Sequence, residues 1–440
     1  MNLRQRLALL GYGGLMRLLL PALLARLWWR ARREPLYGHA MAERLGFGPA
    51  CPPGAVWLHA VSLGETRAAE PLVQALRQRF PTLRLLLTHG TATGRAAGAE
   101  LLGPVDHQCW LPLDTPGAVR RFLTRHRPAL GILMETEVWP CLLHEARRAQ
   151  VPMVLANARL SEKSLRQSLR FDSLLRPAAG SLVMALAQTE ADAARLQRAG
   201  VGDVRVAGNI KFDQRPSPAL CAVGESWSAG LSRPVVLAAS WREGEDGPLL
   251  EAWCALLARR AAASVDLPQP LLLLVPRHPQ RFVEVARLVS DAGLSLVRRS
   301  SWGSGGPGAL ARQAQVWLGD SMGEMPAYYA CAHAALLGGS FAPLGGQNLI
   351  EAAACGCPVF LGPHTFNFAQ AAEGAIAAGA AWRCPDLHTA VALACVLAEC
   401  GEGRAEASEA ARAYAGQDQG AALRMVDAMQ PLLISPTAAR

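Results

Sequence analysis

The feature that most constrains this 440-residue chain is a rhythm of short apolar runs separated by longer stretches with apolar residues at helical spacing. From Ala55 onward "AVWLHAV", "LRLLLTH", "HQCWLPL", "LGILMET", "PMVLANA" and "SLVMALAQ" read as strands. "TRAAEPLVQALRQRF", "GAVRRFLTRH" and "EADAARLQRAG" read as helices between them. Strands apolar along their whole length are buried on both faces, and strands alternating with helices pair in parallel. A loop with scattered prolines, "DQRPSPAL", follows at Asp213–Leu220, and a second series then opens: "PVVLAAS", "PLLLLVPRH", "LSLVRR", "QVWLGD", "AALLGGS" and "PVFLGP". The pattern predicts two similar α/β halves joined near residue 220. Gly303–Gly308 forms a loop inside the second half, and helix runs from Pro385 to the end. No internal repeat at solenoid periods is present. A chain of this length suits two domains, and two such halves leave a cleft between them, a common place for a ligand.

The stretch Leu7 to Arg30 is apolar enough to suggest a membrane, yet Arg17 and Arg26 interrupt it and Pro21 bends it. A spanning helix needs about 20 predominantly apolar residues, and a signal peptide needs a small-residue cleavage site, which is not evident. Seven arginines and no acid precede Glu34. Trp28 and Trp29, followed by Arg30, Arg32 and Arg33, have the character of an interfacial anchor, aromatic at headgroup level and basic toward anionic lipid. The reading favoured is a helix in, or dipping through, the cytoplasmic face of a membrane. A single span with its basic end inside and an ordinary buried helix are the alternatives.

The net charge of +9 points to an anionic partner. Almost all of the positive charge is arginine: only Lys163 and Lys211 are lysines. That skew reflects genome base composition, so the arginine count alone says little about nucleic acid; no nucleic-acid partner is expected, and the two lysines become more informative. The eleven cysteines are scattered without C-x-x-C pairs or zinc spacing, and read as small buried residues in a reducing compartment.

Polar residues gather where strands end. "HAVSLGETRAAE" sets Glu65 where a strand turns into a helix, beside a glycine. An acid there either complements the positive end of the helix dipole or faces a ligand at the carboxyl end of the sheet. "LGILMETEVWP" ends a strand with Glu135-Thr136-Glu137, and "AGNIKFD" carries Lys211 after another strand-like run. In the second half Pro276, Arg277 and His278 follow "LLLLV", and Asp320, Met322, Gly323 and Glu324 follow "VWLG". Gly345-Gly346 precede a helix opened by Asn348, with Glu351 three residues on. A double glycine before a helix N-terminus presents unpaired N–H groups to a phosphate, and Asn348 with Glu351 also reads as a capping box. Neither a P-loop nor a G-x-G-x-x-G fingerprint occurs.

Six segments occur together and in order: "HAVSLGE", "METEVWP", "GNIKFD", "LVPRHPQRF", "GDSMGE" and "GGQNLIEAAACGCPVFLGPHTFNF". In this the chain resembles the 3-deoxy-D-manno-octulosonic acid (Kdo) transferases of lipopolysaccharide assembly, over most of its length. It departs from them at Gln347, where His is usual, at Ala352, where Pro is usual, and at Trp241-Arg242, where Ser-Thr-His is commoner.

The resemblance implies a GT-B glycosyltransferase: two Rossmann-like domains facing a cleft, with an N-terminal membrane-anchoring helix. The expected boundaries are 1–36 for that helix, 37–218 for the acceptor domain, 219–400 for the CMP-sugar donor domain and 401–440 for a terminal helical segment. The implied activity is inverting transfer of Kdo from CMP-Kdo to a lipid A precursor (lipid IVA) on the cytoplasmic side of the inner membrane. Another GT-B transferase, or an epimerase, using a UDP-sugar is the alternative. By resemblance Glu65 is the catalytic base, with Glu135 and Lys211 beside the reacting sugar. Pro276, Arg277, Met322, Gly323, Glu324, Asn348, Leu349, Ile350 and Glu351 hold CMP. No metal and no cofactor are expected.

Overall fold

The computed structural model describes residues 1–263, 268–303 and 305–434; Ser304 of the Gly303–Gly308 loop and the last six residues of the expected terminal helix lie outside them. The chain divides into two compact units, Met1–Gln214 with Asp418–Arg440, and Arg215–Gln417.

The first unit holds β1 (Val56–His59), β2 (Leu85–His89), β3 (His107–Trp110), β4 (Leu130–Met134), β5 (Met153–Ala158), β6 (Met184–Ala187) and β7 (Val204–Val206). They form one parallel sheet in the order β3-β2-β1-β4-β5-β6-β7. Because successive side chains of a strand point to opposite faces, the inner strands feed two cores. Trp57, Leu86, Leu133, Met153 and Leu155 enter one. Val56, Leu58, Leu85, Leu87, Ile132, Met134 and Val154 enter the other. Helix α2 (Leu63–Arg79) covers the second face through Ala69, Leu72, Val73 and Leu76. The last described helix, Ala421–Ile434, returns to the same face and buries Met425, Val426 and Met429 there.

The second unit holds β8 (Val235–Trp241), β9 (Leu271–Pro276), β10 (Leu296–Arg298), β11 (Val316–Leu318), β12 (Ala334–Leu337), β13 (Val359–Leu361) and β14 (Ala381–Arg383). These are also parallel, in the order β10-β11-β9-β8-β12-β13-β14. In both sheets the strand order reverses beside the first strand, between β1 and β4 and between β8 and β12. In open parallel sheets ligands bind at such a switch point, beyond the carboxyl ends of the strands.

A close backbone approach fixes one corner of the second unit. Helix Pro218–Ala229 crosses helix Met325–Cys331 at Gly224, where an added Cβ would lie 2.0 Å from the Ala327 carbonyl oxygen. Gly224→Ala is therefore expected to destabilise this unit by about 1–3 kcal/mol or more, since overpacking forces the backbones apart. Thermal unfolding would report it as a lowered Tm; an unchanged Tm would mean that the two helices separate at no cost.

At the N-terminus, α1 (Leu3–Ala31) is one 29-residue helix, capped by Asn2 and Gln5 in a reciprocal capping box. Pro21 lies inside it without ending it. One side meets the rest of the unit: the Tyr12 hydroxyl donates to Asp114 Oδ2 at 3.0 Å, and Gly13 is buried against Pro116. Elsewhere Leu3, Leu7, Leu10, Leu15, Leu18, Trp28 and Trp29 are exposed. Only 6% of the helix's most apolar stretch is buried, which removes the reading of an ordinary core helix. Arg32 stacks over Trp28 at 4.5 Å and Arg33 over Trp29 at 5.6 Å.

Candidate functional site

In the first unit the polar residues picked out from the sequence converge at the switch point. Ser62 leaves β1 in extended conformation and caps α2, its Oγ accepting from Glu65 N at 3.4 Å. The Glu65 side chain folds back over the same turn. Its Oε1 accepts from Ser62 Oγ at 2.9 Å and its Oε2 from Val61 N at 2.8 Å. This is a capping box displaced by one residue, the carboxylate bonding the amide before the cap. Gly64 is not there for a left-handed turn: it sits in the first turn of α2 without positive φ. An added Cβ there would find only Ser62 Oγ within 4 Å.

The adjacent strand β4 ends in strain. Glu135 is 8% exposed and has φ of 60°, a left-handed conformation uncommon for non-glycine residues. Its N–H donates to Ala156 O at 2.9 Å, which pins the turn to β5. Its carboxylate lies 3.1 Å from Lys211 Nζ and 3.1 Å from Arg159 Nη2, and also accepts from Arg159 Nε at 3.2 Å. Lys211 is carried by a 3₁₀ turn, Ile210–Asp213, built on two asparagines. Asn157, fully buried with φ of 52°, accepts from Ile210 N at 3.1 Å, and Asn209 accepts from Lys211 N at 3.0 Å. Asp213 closes the turn by accepting from Gly420 N at 2.5 Å and Ala422 N at 2.6 Å, so the returning helix buttresses the lysine.

Three acids, Glu65, Glu135 and Glu137, thus gather at one sheet edge, and the charges of two of them bear on the third. Burial pushes the Glu65 carboxyl up; the bonds from Val61 and Ser62 and the charge of Lys211 oppose this, and the charge of Glu135 adds to it. Glu137 is pushed up to about 7 by burial and then by the charges of Glu65 and Glu135. Buried like charges close together favour the protonated form, and this acts on Glu137. Arg159 was not picked out from the sequence; one arginine among forty-two carries no signal of its own, and its place after "VLANA" at the end of β5 is the only hint.

In the second unit the nucleotide-binding candidates also lie past strand ends, on β9, β11 and β12. Pro276 ends β9, and the exposed Arg277 donates its N–H to Trp241 O at 2.9 Å. Past β11, Met322 is 65% exposed and Gly323 has φ of 80°. Glu324 Oε1 accepts from Arg299 Nη2 at 2.8 Å, and its Oε2 accepts from Ser321 Oγ and from Tyr328 Oη at 3.4 Å. Past β12, Gly345 and Gly346 take φ of 89° and 76°, so the double glycine does supply a left-handed turn. The helix that follows differs from expectation. It is five residues, Ile350–Ala354, with Leu349 as its cap, and Asn348 Oδ1 accepts from Ile350 N at 3.1 Å. A helix this short carries little dipole, so any anion here would rest on individual N–H groups and side chains. Leu349 and Ile350 are buried, while Glu351 is partly exposed.

Glu245 is a structural residue that the sequence did not single out. It is 2% exposed, and its carboxylate accepts from Gly339 N (2.7 Å), Phe341 N (3.0 Å), Ala342 N (2.9 Å) and Arg242 N (3.3 Å). It ties the end of β8 to the loop after β12, across the switch point. Two departures from the family pattern, Arg242 and Gln347, flank Gly339 in that loop: Gln347 Nε2 lies 3.3 Å and Arg242 Cγ 3.5 Å from where its Cβ would stand. Trp241 is fully buried and packs on Phe341. Among the described residues no group of three or more His, Cys, Asp or Glu side chains is arranged to hold a metal ion.

Two parallel-sheet units of this kind, with their polar turns at the carboxyl edge, define the GT-B fold. A solved UDP-GlcNAc 2-epimerase from Neisseria meningitidis has it too: TM-score 0.56, 15% identity, covering 86% of this chain and 100% of that one. The family model described as 3-deoxy-D-manno-octulosonic-acid transferase (kdotransferase) matches residues 39–214. The 3-deoxy-D-manno-octulosonic acid transferase of Bordetella pertussis is 51% identical over 94% of this chain and 97% of its own length. That of Haemophilus influenzae is 36% identical over 82% of this chain and 83% of its own. The chain belongs to the 3-deoxy-D-manno-octulosonic acid transferase family, and is an enzyme, a glycosyltransferase.

Proposed function

We propose that the enzyme transfers Kdo from CMP-Kdo to a lipid A precursor, lipid IVA, with inversion at the anomeric carbon. The observation that carries this reading is the meeting of Glu65 with the Glu135–Lys211 pair at the β1/β4 switch point. Glu65 takes the proton of an acceptor hydroxyl, whose oxygen attacks the anomeric carbon. The bond to the CMP phosphate breaks on the opposite face, and CMP leaves with its electron pair. Burial supports the role, because a carboxylate taken out of water is a stronger base than an exposed one. Lys211 supplies a compact positive charge beside the anionic sugar, and Glu135 holds it in place.

On the second unit Pro276, Arg277, Met322, Gly323, Glu324, Asn348, Leu349, Ile350 and Glu351 form the CMP site in this reading. Arg277 and the N–H groups near Asn348 meet the phosphate as its charge develops, and Glu351 bonds ribose hydroxyls. The exposed leucines of α1, with its tryptophans and arginines at one end, fit a helix lying in the cytoplasmic face of the inner membrane, where an anionic lipid acceptor is held.

Incubation of the purified protein with CMP-Kdo and lipid IVA tests the reading. Mass spectrometry is expected to show the acceptor heavier by Kdo units and CMP released, with UDP-sugars giving no product. Transfer from a UDP-sugar but not from CMP-Kdo would overturn it in favour of the other GT-B chemistry.

A further inference from the structure

The second unit contains an arginine that no sequence motif singled out. Arg299 opens the 3₁₀ turn that follows β10, and its guanidinium is boxed by two indole rings. Its Cζ lies 4.9 Å from the centre of the Trp227 ring and 5.3 Å from that of Trp302. The box is itself fixed: Trp227 stands edge-on to Trp302 at 5.2 Å, Trp302 stands edge-on to the buried Trp317 at 4.7 Å, and Trp227 packs on the buried Tyr328 at 5.9 Å. From this box Nη2 reaches Glu324 Oε1 at 2.8 Å. Arginine suits such a place because its planar cation stacks on aromatic faces while its edge donates.

The effect falls on Glu324. An ionised carboxylate has about four acceptor positions. Arg299 occupies one on Oε1 and Ser321 Oγ one on Oε2; Tyr328 Oη, 3.4 Å from Oε2, also bonds Ser321 Oγ, so the hydroxyl pair holds that oxygen without supplying two separate donors. The second position on Oε1 therefore belongs to a carboxylate held at both oxygens, with a fixed cation beside it. Asp320, the other acid of this turn, is engaged separately: it accepts from Ser300 N at 2.8 Å and from Ser300 Oγ at 2.6 Å. The arginine, its box and the acid thus form a rigid clamp at the end of β11.

We propose that Arg299 is a positioning residue of the nucleotide site, holding Glu324 as a preoriented acceptor for a hydroxyl or amino group of CMP. This rests on the reading that Glu324 faces the nucleotide. The test uses full-length protein, CMP binding by titration calorimetry, and transfer kinetics with CMP-Kdo. Glu324→Gln probes the underlying reading; Arg299→Met removes the charge and keeps bulk in the box; Arg299→Lys keeps the charge and loses the fork.

Arg299→Met is expected to weaken CMP binding about tenfold or more, the effect of losing one charge-assisted hydrogen bond. The KM for CMP-Kdo should rise in step, with kcat little changed, and Arg299→Lys should restore part of the loss. A purely packing role would lower Tm in Arg299→Met and leave the CMP affinity of the folded fraction intact. If Glu324→Gln weakens CMP binding and both Arg299 variants bind like the parent, the clamp is wrong. If Glu324→Gln itself binds CMP normally, the placement of the nucleotide fails, and the clamp with it. Should Arg299→Met not fold, the Arg299→Lys affinity decides: parental binding overturns the clamp, and weakened binding at an unchanged Tm supports it.

Discussion

Glu65→Gln is expected to lower kcat by about 10²–10⁴-fold, the range a positioned general base contributes, with the KM for CMP-Kdo little changed. The substitution is nearly isosteric and keeps one oxygen able to accept from Val61 N or Ser62 Oγ. The helix cap is weakened rather than lost, at a cost of roughly 0.5–2 kcal/mol, and thermal unfolding will confirm a folded variant. The pH profile separates a base from a cap. Burial raises the Glu65 carboxyl, so the acid limb of kcat/KM should lie above the ordinary carboxylate range. Below that limb the base is protonated and the rate falls about tenfold per pH unit; in Glu65→Gln the limb should vanish. Glu137, pushed up to about 7, stays in the variant, so a limb of its own would persist in Glu65→Gln. A folded Glu65→Gln enzyme with parental kcat would reduce this residue to a helix cap.

How much of this was legible in the residues themselves follows from what each part depends on. The long strands could be read because burial on both faces demands unbroken apolar runs, as in "LLLLV" of β9. Strands β7 and β14 escaped the strand reading because three-residue strands with Arg205, Val206 and Arg383 exposed show little apolar run, whereas the equally short β10 keeps all three residues partly buried. The cluster at β1/β4 was legible in part: Glu65, Glu135 and Lys211 each follow a strand, and parallel topology brings strand ends to one edge. Arg159 and Arg299 were not legible, because an arginine gains its meaning from the carboxylate it meets, and that meeting is tertiary. The helix opened by Asn348 misled for a physical reason. Its capping residues are those of a longer helix, but Gly356, with φ of 71°, stops it after five residues. Nothing local told that Ala421–Ile434 would return to the first unit. Its apolar stripe had many possible partners, and the Asp213 carboxylate, two hundred residues away, supplies the docking contacts.

Lys211→Met should be the second most damaging change, lowering kcat by about 10²–10³-fold, the loss seen when one preorganised electrostatic group is removed from a developing charge. Both members of the pair are mostly buried, with 16% of the Lys211 and 10% of the Glu135 side chain exposed. Their attraction is therefore less screened than that of a surface pair. Folding should survive, because Glu135 keeps Arg159 as a partner at 3.1 Å and the turn is held by Asn157, Asn209 and Asp213 through backbone amides. Lys211→Arg should fail to restore the rate, since a planar fork cannot replace a compact ammonium in a space closed by Glu135 and the returning helix. The double variant Glu135→Gln with Lys211→Met distinguishes a working pair from two independent residues. If the pair acts as a unit, its loss will be smaller than the product of the two single losses; independent multiplication would mean that the ion pair is incidental to transfer. Parental kcat in a folded Lys211→Met enzyme would remove the lysine from the reaction and leave it as a strut for the strained Glu135 turn.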